Sequence, residues 1–390
     1  MESLADAGGD PRALLTVAGR TIVRHQLECA LALGCEKIAC QAPGLSREML
    51  DLQHLAEGSG AQFQVLTGSR VLSGMVRAAD ELLVFADGLL PECQLAQKLL
   101  ADRPAVLVLP ADEGIAAGFE RIDRDYAWAG LFMVRGAAVE RLADLPPDAD
   151  PVASLLRIAL QTGTRIAAMP EGALARHEWG LVHSADHADR YEQAWLDRHM
   201  RPAPLVAPLL AAADWTATSL IRRAHGGRLS GGGILGGAAA LAGLAALTGW
   251  FWEPVAGFAL LAAAYFAART GGALKSLESP GRPAPEALSR TYGWLVMALD
   301  IVLIALSAMA GPQGEFTTVL AATSLILALR IGGALPLGNW KILFADRSLL
   351  VIALAIAAYF GQITLVSQIL TVSALAVILI DAGRSKLTRT

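Results

Sequence analysis

Hydrophobic and polar positions divide the chain into two unlike halves. Up to about residue 200, short apolar runs alternate with charged, polar and Pro/Gly stretches. From Leu229 onward, apolar runs of roughly 20 residues follow one another almost without charge, the length that crosses a ~30 Å hydrocarbon core. This pattern predicts a soluble domain over 1–200, a linker with an interfacial helix over 201–228, and a membrane domain over 229–390.

In the first half, β-like runs such as ALLTV, EKIACQ, ELLVFA and AVLVLP alternate with the helical patterns TIVRHQLECALALG and PECQLAQKLLA. Strands and helices alternating at this spacing predict an α/β domain with a parallel-rich sheet covered on both faces. In such sheets ligands bind beyond the carboxyl ends of the strands, where Asp87 of LLVFADG is expected. Asp87 is either a metal or ribose ligand or a polar strand-end residue. His183 and His187 stand four apart on an expected helix; a solvated helix face explains them better than a metal pair, because no third ligand follows.

In the second half, spans are expected near 230–251, 254–273, 292–311, 316–335, 348–361 and 363–382, an all-α six-helix transmembrane domain. Lys and Arg fall on one side of that arrangement. Arg222, Arg223 and Arg228 precede the first span; Arg269, Lys275, Arg282 and Arg290 mark the second connection. Lys341 and Arg347 mark the fourth, and Arg384, Lys386 and Arg389 the tail, whereas the other connections carry only Glu253 and Glu315. Basic excess marks cytoplasmic loops, so both termini are expected in the cytoplasm of a multi-pass inner-membrane protein. DWTATSLIRR, with Asp214, Trp215, Arg222 and Arg223, suits a short helix on the membrane surface, after the Pro/Ala linker RPAPLVAPLLAAA. The opening GGGILGGAAALAG suits close helix packing.

Asp300 lies roughly 12 Å into the third span and Arg330 roughly 8 Å into the fourth, from the same side by helix rise. Opposite charges at similar depth predict a pair, since a lone charge there costs several kcal/mol.

Composition narrows the function. A hydrophobic content of 54% is too high for an ordinary soluble protein, and a net charge of -4 argues against a nucleic-acid partner. Cys29, Cys35, Cys40 and Cys93 match no zinc spacing and read as buried thiols. The start, MESLADAGGDPR, has neither a basic n-region nor an apolar h-region, so no signal peptide is expected there.

PRALLTVAGRTIVRHQLECALALGCEKI resembles the opening of the sugar-phosphate nucleotidyltransferases, P-K-x-L-L-x-V-x-G-x-P-I-I before a helix. The resemblance covers roughly residues 10–180 and implies a GT-A-like α/β fold. It also implies that Arg12 and Asp87 bind nucleotide, with Asp87 holding Mg²⁺. Those enzymes open with a strand and a glycine-rich loop that cradles phosphates; this chain offers only ADAGGD, so weak or absent CTP binding is expected.

A domain of that kind, followed by a surface helix and six spans, resembles the bifunctional cytidylyltransferase–CDP-alcohol phosphotransferase proteins. Their signature, D-x-x-D-G-x-x-A-R and then G-x-x-x-D-x-x-x-D, holds two metal ions about 4 Å apart. Over 271–301 this chain places Lys275 and Glu278 at the first two Asp positions and Ser279 at the Gly, with Arg282 near the Arg. Gly293 matches the second Gly, Met297 and Ile301 replace the last two aspartates, and Asp300 is one residue out of register.

The resemblance therefore leaves Asp300, Glu278 and Arg282 as a degenerate catalytic set, and it implies Mg²⁺ only if the chain is active. An ammonium at Lys275 repels cations, and one Glu with one displaced Asp cannot build a two-metal site. The expectation is a diverged, non-catalytic member acting in polar lipid head-group metabolism. It binds a CDP-alcohol, CTP or membrane lipid, or scaffolds a catalytic partner or a second copy. The alternative is an active CDP-alcohol phosphotransferase; a small transporter is disfavoured because the spans offer almost no polar path.

Overall fold

ELLVF and AVLVLP form strands because short apolar runs satisfy their backbone in a sheet; AVLVL is buried throughout, and Leu82 to Phe85 are half-buried. The structure, a computed structural model, describes residues 11–387 except 43, 45, 67–73, 103, 145–149, 201–202, 224–229, 278–285, 312–315, 336–341 and 343–344. It divides into two units, Met1–Arg198 and His199–Thr390.

Unit 1 runs β1 (Thr16–Val17), β2 (Arg20–Thr21), α1 (Ile22–Ala32), β3 (Lys37–Gln41), α2 (Arg47–Gly58), β4 (Gln62–Leu66), β5 (Glu81–Phe85) and β6 (Leu89–Pro91). It continues with α3 (Cys93–Leu99), β7 (Ala105–Pro110), α4 (Ala111–Ala116), β8 (Tyr126–Arg135) and α5 (Ala137–Glu140). The last elements are α6 (Pro151–Gln161), β9 (Arg165–Ala168), β10 (Trp179–Leu181) and α7 (Ala185–His199). The largest sheet has the order β5-β8-β7-β9, while β3 and β4 pair separately and in parallel.

The sheet is mixed, which corrects the parallel-rich expectation. β8 pairs antiparallel with both β5 and β7, and only β7–β9 is parallel within the four strands. YAWAGLFMVR lies outside the strand and helix patterns named above, yet its eight central residues are buried. That run is a central strand, and inserting it between β5 and β7 removes the parallel contact expected there.

Unit 2 is helical: α8 (Pro208–Arg223), α9 (Gly231–Phe251), α10 (Pro254–Leu277), α11 (Glu286–Ala310), α12 (Phe316–Ala334), α13 (Arg347–Tyr359) and α14 (Ile363–Leu387). Helices are the backbone solution in lipid because each satisfies its own N–H and C=O groups. Among the described residues five helices are long and apolar enough to cross a membrane: α9, α10, α11, α12 and α14. The chain thus has the make-up of a multi-pass membrane protein.

The sixth expected span, 348–361, appears as α13. Its 13 residues are apolar but extend only about 20 Å, short of a full crossing. The bundle core is built on Phe258, Leu261, Tyr265, Leu299, Leu303, Leu306, Leu325 and Val351. The expected Pro/Ala linker is also partly corrected. Helix α8 already begins at Pro208, the first-turn position where a missing N–H costs nothing.

Candidate functional site

The residues singled out by sequence fall in two places, one in each unit. In unit 1, Asp87 sits in the turn just past the carboxyl end of β5, as the strand pattern predicts. The turn is held from α1, where Gln26 Nε2 donates to the carbonyls of Ala86 at 2.9 Å and Leu89 at 2.8 Å. Gly88 takes φ +72°, and a Cβ there would meet the Val182 carbonyl oxygen at 2.9 Å and the Arg12 Cβ at 3.4 Å. Arg12 is thus packed beside the Asp87–Gly88 turn.

Asp87 lines a cavity of about 1390 Å³. Its charged lining is acidic: Glu36, Asp80, Glu81, Asp87, Glu120 and Asp150 against Lys37 and Arg77. A triphosphate entering it meets like charge. Among the described residues no three His, Cys, Asp or Glu side chains converge as metal ligands.

The two histidines also lie in unit 1. His183 precedes α7 rather than lying on it, with Ser184 accepting from the His187 N–H. Their ring centroids are 5.9 Å apart. Burial, and then the Arg12 charge, lower the His183 pKa, which favours the neutral ring. Cys29, Cys35, Cys40 and Cys93 are all free thiols. A hydrogen bond with Cys93 and burial push the Cys29 thiol well above its ordinary value.

In unit 2, the described bundle gathers its buried charges at one end. The C-terminal halves of α10 and α12 and the N-termini of α11 and α13 meet there, and α8 packs against it. Asp300, 2% exposed, accepts from the Tyr265 hydroxyl at 2.6 Å through Oδ1 and from Arg330 Nε at 2.8 Å through Oδ2. Asp214 is fully buried; Arg269 holds it with both Nε (2.9 Å) and Nη2 (3.1 Å), and the Ala203 N–H adds a third bond at 3.0 Å. Asp346 caps α13 at the Leu349 N–H and accepts from the Leu209 and Leu210 N–H groups at 3.1 and 3.2 Å, tying α8 to α13. Nearby, Arg347 Nη1 is buried without a hydrogen-bond partner.

This geometry brings together some of the expected residues and separates others. Asp300 and Arg330 pair as their depth predicts. Asp214, expected at the membrane interface, is instead the buried anchor of α8, whereas Arg222 and Arg223 are exposed. Glu278 and Arg282 lie outside the described residues. On α11, Gly293 is exposed and Ile301 is 59% exposed, so the inward face carries Leu299, Asp300 and Leu303.

Lys275 packs its stem on α9, where a Cβ on Gly231 would meet the Lys275 Cβ at 2.8 Å. Sequence reasoning missed Tyr265, Arg269 and Asp346. The signal for Asp346 was present, an Asp directly before an apolar helical run.

No protein-family model matches the chain. No curated protein matches it either.

Proposed function

We propose that this is an inner-membrane protein of polar lipid head-group metabolism. It binds a phosphoalcohol head group or holds a catalytic partner, and it does not transfer the phosphoalcohol itself. The observation that carries this reading is the occupation of Asp300. Both carboxylate oxygens are engaged, one by Tyr265 and one by Arg330, at a site 2% exposed. The guanidinium against Oδ2 already neutralises the carboxylate, and its positive charge repels a metal ion.

Elsewhere in the bundle Arg347 Nη1 is buried without a hydrogen-bond partner, a donor that suits a phosphate oxygen rather than a divalent metal. A location with both termini in the cytoplasm rests on the one-sided Lys and Arg pattern and requires the short helix α13 to complete a sixth crossing.

The test is transfer from a CDP-alcohol by purified protein in nanodiscs, read as CMP release. No release is expected with Mg²⁺ or Mn²⁺, and Lys275→Asp does not restore it, since Met297 and Ile301 still supply no ligands. Metal-dependent release that Asp300→Asn abolishes, with the fold unchanged, would establish the active phosphotransferase instead. Orientation is tested separately by cysteines introduced at Ser289 and Gln313. Labelling of the first from outside intact cells would reverse the topology.

A further inference from the structure

Helices α1 and α3 meet side by side in unit 1. Gln97 Nε2 of α3 donates to the Ala32 carbonyl of α1 at 3.1 Å. Positions three or four back along a helix return to the same face, so Cys29 and Cys93 form the next pair on that contact. The two thiols share a hydrogen bond there. Cys29 is 2% exposed in the apolar cluster that holds Leu33, Ala96 and Leu100, whereas Cys93 packs against that cluster and is half-buried.

The pair also stands beside the Asp87–Gly88 turn. One helical turn before Cys29, Gln26 holds the carbonyls of Ala86 and Leu89, and β6 ends two residues before Cys93. A bond between the two sulfurs closes a ring of chain that contains this turn, and such a ring restrains what lies in it. Sulfurs close enough to share a hydrogen bond need only side-chain rotation to reach each other.

We propose that Cys29 and Cys93 are a modification site for thiol–disulfide exchange. A small-molecule disulfide of the glutathione class closes it, a thiol reopens it, and closure pins the Asp87–Gly88 turn.

Cys93 is the sulfur that a reagent reaches. Its thiolate attacks one sulfur of the reagent RS–SR; that S–S bond breaks, a Cys93–S–SR bond forms, and RS⁻ leaves. Cys29 then gives up its proton, which RS⁻ takes, and the Cys29 sulfur attacks Cys93 Sγ. The Cys29–Cys93 bond forms as the second RS⁻ leaves and takes the proton that Cys93 released. Two cysteine thiols are oxidised, one reagent disulfide is reduced to two RSH, and two electrons pass. The hydrogen bond with Cys93 and burial push the Cys29 thiol well above its ordinary value, so the second step is slow at neutral pH and quickens as pH rises. Cys35 also lies near enough for its charge to act on Cys29, which makes it the competing partner. The inference goes beyond the proposed function and is read without any phosphotransfer assay, so either can fail alone.

The experiment incubates the full chain in nanodiscs with oxidised glutathione, then blocks free thiols in denaturant and maps the linked peptides by mass spectrometry. A Cys29–Cys93 link is expected, reversed by dithiothreitol, and formed at least about tenfold faster near pH 9 than near pH 7. In Cys29→Ala, glutathione should stay on Cys93, since no second thiol displaces it. Hydrogen exchange of the amides in 86–92 should slow severalfold in the linked chain and recover on reduction.

The map of the unaltered chain needs no variant, so a poorly folded Cys29→Ala leaves the test intact. Cys29 still free after treatment, or linked to Cys35 instead, overturns the proposal. So does unchanged exchange over 86–92 in a chain whose Cys29–Cys93 link is complete.

Discussion

Arg330 Nη2 lies 2.7 Å from Asp300 Oδ2, and the other oxygen of the same carboxylate takes the Tyr265 hydroxyl. The three groups come from α12, α11 and α10, so one buried carboxylate cross-links three helices of the bundle. Asp300→Asn keeps the shape but removes the charge that Arg330 faces, and a loss of about 1–3 kcal/mol is expected. Arg330 is 41% exposed on its side chain and can turn to water, which holds the loss at the lower end. Thermal unfolding in detergent measures it, and adding Arg330→Gln should recover part of the loss. Strict additivity of the two changes would mean the pair contributes nothing.

Asp214 and Arg269 behave differently because here the carboxylate is the fully buried partner. Arg269→Met leaves the Asp214 charge with only the Ala203 N–H, and a loss of about 3–5 kcal/mol is expected. Asp214→Asn combined with Arg269→Met should be clearly more stable than Arg269→Met alone, because the stranded charge is gone. Because Asp214 anchors α8, proteolysis at the Trp215–Arg223 stretch should rise in Arg269→Met. Unchanged cleavage there would show that other contacts hold the helix.

The difference between these two pairs marks what the sequence makes legible. Asp300 and Arg330 are single charges in apolar runs, and the cost of a lone charge in a membrane makes their pairing readable from depth alone. Asp214 sits among polar residues in DWTATSLIRR, so nothing local marks it as buried, and its partner is 55 residues away. Apolar length identified the long spans in the same way, while α13 shows that an apolar run can end short of a crossing. In unit 1 the turn after β5 was readable from ELLVFADG. The mixed sheet was not, because pairing direction is set by which strands meet in space, and β8 is separated from β5 by 40 residues of chain.

Acidification should destabilise unit 1 through His25. Burial first, and then the Arg20 charge, lower its pKa to about 4, against the pull of Glu28 and of the hydrogen bond that Nε2 donates to the Val17 carbonyl at 2.9 Å. The unfolded chain protonates this ring near pH 6.5, whereas the folded chain resists until near pH 4. Stability is therefore full above pH 6.5 and falls as the pH drops from 6.5 to 4, by about 3 kcal/mol in all. Denaturant unfolding followed by Trp195 fluorescence, whose indole packs edge-on 6.1 Å from His25, measures the trend. His25→Gln keeps a donor for Val17 and cannot titrate, so its stability should fall less steeply over that window. Parallel slopes would exclude His25 as the cause.

The glycines that open α9 should separate into two kinds when replaced. At Gly231 a Cβ would lie 2.8 Å from the Gly271 carbonyl oxygen and 2.9 Å from the Lys275 nitrogen, both on the backbone of α10. Backbone cannot yield as a side-chain tip can, so Gly231→Ala must push the two helices apart, at a cost of about 1–3 kcal/mol. Gly236 and Gly237, five and six positions on, have nothing within 4 Å of that point. Alanine there meets no obstacle and gains helix propensity, so the change should be neutral or stabilising by up to about 1 kcal/mol. The contrast follows the face of the helix: Gly231, Ala238, Ala242, Ala245 and Gly249 are buried, and Gly236 and Gly237 point away. Thermal unfolding of the three single variants in one detergent decides it. Equal losses at all three positions would mean that α9 packs on a different face from the one its buried small residues define.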